Sequence, residues 1–135
     1  MIAMKESQCH SQLHASGIYE FKLLDNTNEA FHDLLNLISR ADAMTPPTGV
    51  LRYVVDLSSS GIPPLNAAFQ ASQKWLLMHP DHARSRTVFL ANPDLKRELA
   101  LSFVRLLTHS ARRWQWRFMD TGQHKAAMDW LLAND

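Results

Sequence analysis

Val50-Leu51-Arg52-Tyr53-Val54-Val55-Asp56, followed by Leu57-Ser58-Ser59-Ser60-Gly61 and then by Pro63-Pro64, is the stretch that decides the fold. Its first seven residues are apolar, β-branched or aromatic except for Arg52 and the closing Asp56. That is the composition of a central strand covered on both faces. The serine-rich segment is a loop, and the two prolines suit the first turn of the next helix. That helix carries Leu65, Ala68, Phe69, Ser72, Trp75 and Leu76 and ends near His79-Pro80. A strand, a loop and a helix in that order form the repeating unit of an α/β fold.

Working outward, the same alternation recurs on both sides. Upstream, Ile18 to Leu24 alternates apolar and polar residues as a half-buried strand does. A weaker strand spans Cys9 to Ala15, with Ser16-Gly17 as the turn between them. Asn26 opens a helix as N-cap, with Glu29 as its capping-box partner, and Ala30, Phe31, Leu34, Leu35 and Ile38 follow at helical spacing. Thr45-Pro46-Pro47-Thr48-Gly49 ends that unit. Downstream, Arg86 to Ala91 reads as a strand, and Asn92-Pro93 as an N-cap with proline at the first helical position. The helix that follows is expected to bury Leu95, Leu99, Phe103, Leu106 and Leu107 along one face. Trp114 to Met119 alternates again, and Thr121 caps a last helix through Ala127, Trp130 and Leu131. The expected fold is therefore α/β: a mixed, mostly parallel sheet of four to five strands with four helices. Residues 1–16 form an N-terminal segment with one edge strand, and 17–135 a single undivided domain.

Composition narrows the class further. At 135 residues the chain holds one core, and with 46% hydrophobic residues it is too apolar for disorder. The net charge of +1 gives no global pull toward nucleic acid, and no basic motif or stacking platform supports such binding. One cysteine, Cys9, makes no internal disulfide. No apolar run approaches the roughly 18 residues of a membrane span, and the polar start lacks a signal segment. A cytoplasmic protein is expected.

The small net charge hides an asymmetry. Residues 74–117 carry nine basic and three acidic side chains, a net of +6. Within them Arg105, His109 and Arg112 share one helix face, with Arg113 adjacent. This is either an anion-binding face for a phosphorylated ligand, a partner or a lipid headgroup, or an ordinary solvated face whose cations suit the helix C-terminus. His79-Pro80-Asp81-His82 offers two imidazoles and a carboxylate but no third converging ligand, so it reads as a loop and no metal is expected. Cys9 and His10 point to opposite faces of a strand and lie near the chain start, where a mobile segment is expected, so no catalytic cysteine follows. Asp56, Ser58, Ser59, Ser60 and Gly61 lie just past the carboxyl end of the central strand, where α/β folds place ligands. Their hydroxyls would cap the next helix, bind an anion there, accept a phosphate, or simply turn the chain. A receiver domain is excluded, because Asp25-Asn26 is no acidic pair and no lysine follows the last strand. The glycines at 17, 49, 61 and 122 are scattered and cradle no phosphate. The four tryptophans fit core and rim positions.

Val54-Val55-Asp56-Leu57-Ser58, together with Phe118-Met119-Asp120 and the closing Ala127-Met128-Asp129-Trp130-Leu131, resembles the STAS domain (sulfate transporter and anti-sigma factor antagonist). The match is to its divergent SpoIIAA-like bacterial branch and spans roughly Ile18 to Ala133. The resemblance implies a sheet covered by helices, no cofactor, and a binding rather than catalytic role in signalling. Its partners would be proteins such as a regulatory kinase or an anti-sigma-like factor. Regulatory members carry a phosphorylated serine at the start of the helix after this strand; here Pro63 or Pro64 stands about there, and only Ser58, Ser59 and Ser60 remain as substitutes. The expectation is thus a non-enzymatic interaction module docking through the loop at Ser58 to Pro64, next to Asp56, and through the exposed part of the following helix. The alternative is a small-molecule or lipid-binding domain with an apolar pocket lined by Phe69, Phe103 and Leu107 and with Arg105 and Arg112 at an anionic headgroup. An enzyme would need Asp56, a histidine and a serine in one cleft. A sheet edge or an apolar helix face would serve a homodimer.

Overall fold

The computed structural model describes residues 8–109 and 113–133. Its elements are β1 (Cys9–Leu13), β2 (Tyr19–Leu23), α1 (Asn28–Ala43), β3 (Val50–Asp56), α2 (Leu65–Met78), β4 (Arg84–Leu90), α3 (Leu95–Thr108), β5 (Trp114–Met119) and α4 (His124–Leu132). The strands form one sheet in the order β1-β2-β3-β4-β5. β1 is antiparallel to β2, and the other pairs are parallel. The expected α/β class holds: four helices and a five-stranded mixed, mostly parallel sheet. The edge strand read near Cys9 joins β2 through a turn in which Gly17 adopts φ +91°, a conformation that favours glycine.

Strands that neighbour in sequence also neighbour in space, so crossovers of one hand deliver their helices to one face. α1, α2 and α3 share that face, over Phe21, Tyr53 and Val55. α4 alone covers the other, with Ala127 and Leu131 on Val54, Val88 and Leu90. β3 alternates between the two, so its near-continuous apolarity has the expected cause. Among the described residues no helix is long and apolar enough to cross a membrane.

All four helix starts differ from the sequence reading. Pro63 and Pro64, expected in the first turn of α2, lie just before it, with Pro64 as a non-helical N-cap. Thr27, not Asn26, caps α1, its side chain accepting the Ala30 N–H at 3.1 Å. The Asn26 N–H instead donates to Asp25, and Glu29 falls one position short of a capping box. Asp94, not Asn92, caps α3, accepting the Arg97 N–H at 2.9 Å. α4 starts after Gln123 with no side-chain cap. Asn92 and Thr121, both expected to cap helices, instead hydrogen-bond each other between the ends of β4 and β5, at 3.3 Å.

The C-terminus of α4 rests on two arginines. Arg52 and Arg86 are register partners on β3 and β4, facing α4. Arg52 Nε donates to the Leu131 carbonyl at 2.8 Å and Arg86 Nη2 to that of Trp130 at 2.7 Å. Two like charges side by side repel, and the negative end of the helix dipole offsets this. Arg86 is buried, stacks 4.1 Å from the Trp130 ring and donates to Gln115. Trp130 itself is only half-buried; Leu131 is the fully buried anchor of α4.

Candidate functional site

α2 packs in an unusual way. Leu65, Phe69, Trp75 and Leu76 turn inward at helical spacing, yet none of the 14 residues of this helix is buried. Leu65 and Phe69 stop short because they front an apolar cavity of about 110 Å³ between the three helices and the sheet, while Trp75 and Leu76 border a smaller space of about 40 Å³. α1 contributes Leu34 and Leu35 to its wall, α2 Phe69, and α3 Phe103 and Leu107. The Phe69 and Phe103 rings meet across the α2–α3 seam with centroids 5.4 Å apart. Tyr53 and Val55 from β3, and the stacked pair Phe89 and Phe118 (4.9 Å), form the floor.

The polar atoms around this floor are already engaged. Burial pushes the Tyr53 phenol up to about 12, and Thr87 shares a hydrogen bond with it. The Trp114 indole N–H donates to the Thr87 hydroxyl at 2.8 Å. Ser72 on α2 adds a wall hydroxyl with no hydrogen bond to the described residues. The cavity therefore suits an apolar group with at most one polar atom directed at α2.

An open groove of about 430 Å³ between the N-terminus of α2 and α3 leads inward, since Ile62, Pro63, Leu65 and Phe103 line both spaces. Asn26, Asn66 and Lys96 make its polar rim. The loop singled out from sequence lies beside this mouth. Asp56 Oδ1 accepts the Ser58 N–H at 2.9 Å, and the Gly61 N–H donates to the Leu57 carbonyl, with Gly61 at φ +73°. Ser58 and Ser59 are exposed; the Ser60 hydroxyl donates to the Gly61 carbonyl. No serine caps α2, whose N-cap is Pro64 without a side-chain bond. The loop thus has two halves: a hydroxyl-bearing turn on the surface, and Ile62-Pro63 buried at the cavity.

The basic face lies apart from this site. Arg105 and His109 are exposed in the last turn and C-cap of α3 and line neither space, while Arg112 lies outside the described residues. The cation at the mouth is Lys96, which the sequence reading did not single out. Phe69, Phe103 and Leu107 do meet in one cavity.

Other chemistry-bearing groups are accounted for by packing. His79 is the C-cap of α2, stacks on Trp75 at 4.1 Å and has Nδ1 against the Trp75 carbonyl. His82 Nδ1 faces the Ala83 carbonyl. Cys9 is not in a loose segment: it is buried in β1, and burial, reinforced by the Asp33 charge, pushes its thiol up to about 12. Such a thiol is protonated at neutral pH and is a poor nucleophile. Sequence reasoning missed the Glu20 cluster, where His14 and His124 each donate Nε2–H to Oε1 at 2.9 and 3.0 Å. Burial pushes the Glu20 carboxyl up, but the hydrogen bonds from His124 and His14 outweigh it and leave it below the usual value. Only the fold brings these three together, so no sequence signal marked them. Among the described residues no three His, Cys, Asp or Glu side chains are placed to hold a metal ion.

No family model matches this chain, and neither a curated protein nor a solved structure gives a significant match.

Proposed function

We propose that this domain is a non-enzymatic binding module whose ligand is a small apolar molecule, or the hydrocarbon end of an amphiphile, held between the sheet and α1, α2 and α3. The observation that carries this reading is the 110 Å³ apolar cavity beneath a helix that buries none of its residues. Protein interiors are close-packed, with few voids larger than a water molecule. At about 24 cal/mol per Å³, a void of this size forfeits roughly 2–3 kcal/mol, a large share of a domain's stability. An apolar cavity of about 150 Å³ stays dry and admits a benzene-sized molecule. The space here takes an aromatic ring or a short alkyl segment, and the groove at Lys96, Asn26 and Asn66 takes a polar or anionic end. The STAS-like resemblance also points to binding rather than catalysis.

The test is to titrate the protein with a fatty acid of medium chain length and with 1-anilinonaphthalene-8-sulfonate, following melting temperature and fluorescence. The wild type should bind both. Ala68→Leu, which projects into the cavity from α2, should lose both. Equal binding by the two proteins would place the probes elsewhere, and no binding by the wild type would remove the reading.

A second reading, docking of a protein partner on the Asp56–Gly61 turn, is favoured by the exposure of Ser58 and Ser59 beside the uncapped start of α2. Replacing Ser58, Ser59 and Ser60 together by Asp should weaken that partner's binding and leave stability nearly unchanged. Loss of folding would make the serines structural.

A further inference from the structure

The apolar arc of α3 is wider than the sheet needs. Ala100 is buried and Phe103, Val104 and Leu107 are half-buried, and these point inward. Leu95, Leu99 and Leu106 were expected to join them but are 75%, 49% and 64% exposed. At 100° per residue these three lie within about 40° of one another, a stripe along the outer side of the helix. Beside it, on one flank, stand Glu98 and Arg105, exposed and two helical turns apart. Neither forms an ion pair within the described residues.

We infer that this stripe is the contact by which two copies of the chain associate, with α3 packed antiparallel against α3 of the second copy about a two-fold axis. In that arrangement Leu95 of one copy lies level with Leu106 of the other, and Leu99 sits near the axis. The same flank meets the same flank, so Glu98 of one copy faces Arg105 of the other, and the symmetry repeats the pair. A helix carrying one acid and one base at this spacing on one flank is its own charge complement when reversed. An anionic bilayer would match Arg105 and Lys96 but be repelled by Glu98, so the mixed flank favours a second copy. The inference does not depend on the inner cavity, whose α3 wall is Ala100, Phe103, Val104 and Leu107; of the three stripe residues Leu99 also borders the open groove.

Sedimentation equilibrium over a concentration series tests it. The wild type should be a monomer–dimer mixture. Leu99→Lys with Leu106→Lys should be monomeric with an unchanged circular dichroism spectrum, since both side chains are exposed. Glu98→Arg alone should raise the dissociation constant about tenfold, and Glu98→Arg with Arg105→Glu should bring it back to within about threefold of the wild type. A wild type that stays monomeric overturns the inference, as does an exchanged pair no tighter than the single variant. Flotation of a monomer with anionic vesicles, abolished by the leucine changes, would assign the stripe to a bilayer and also overturn it.

Discussion

Cys9 and Tyr53 are buried acids in the core beneath α1, and both are held protonated by the fold. Their folded values lie above the ordinary ones, so their protonated forms stabilise the native state. That contribution is complete below about pH 9 and is lost as pH rises toward 12. The thiol should therefore resist iodoacetamide at pH 8 in the native protein and react fully in denaturant; rapid native alkylation would show that β1 opens. Glu20 acts in the opposite sense, because its lowered value gives stability that disappears only as pH falls through the acidic range. On the other face, Leu131 is completely buried and Trp130 is not. Leu131→Ala should cost about 2–5 kcal/mol in urea denaturation and Trp130→Ala less, since it gives up a partial burial and a cation–π contact worth ~0.5–2 kcal/mol. The reverse order would mean that α4 is rotated on the sheet.

At the scale of elements, the helices were legible and their first residues were not. The periodicity of Ala30, Leu34 and Ile38 locates α1 because burial repeats with the helical turn. The choice between Asn26 and Thr27 as cap depends on which side chain reaches the third helical N–H, and both residue types qualify. Thr27→Ala should cost about 1 kcal/mol and Asn26→Ala a few tenths, as measured by thermal or urea unfolding. Equal costs would restore the cap to Asn26. α3 teaches a related lesson. Its leucines have the spacing of a buried face, but apolar residues cover more of its circumference than one sheet can occupy. Periodicity shows that a face is apolar and leaves open what covers it.

At the scale of the molecule, the cavity has an energetic signature of its own. Ala68→Leu should raise stability by about 0.5–2 kcal/mol if the space beneath α2 is empty without ligand. A loss of about 1–3 kcal/mol would indicate an already filled interior and remove the site. The mixed, mostly parallel sheet, its four helices and the edge strand near Cys9 were readable from the alternation of elements; the strand order and the single helix on the second face were decided by the fold. The serine loop was readable as a loop beyond the central strand. Its attachment to a cavity through Ile62 and Pro63 was not, because the opposite wall comes from α1 and α3.

Sequence alone determined the element types, their order, the central place of Val50–Asp56 and the aromatic and aliphatic residues available to line a pocket, since these depend on local composition and period. Only the tertiary structure decided that Asn92 and Thr121 bond each other rather than cap helices. Nor could less than the fold show that Arg52 and Arg86 brace the end of α4, that His14 and His124 meet on Glu20, or that α2 stands off the sheet over open space. Each of these rests on groups far apart in the chain. The chain's local pattern states what each residue can contribute, while hydrogen bonds and packing volume depend on which distant partner arrives.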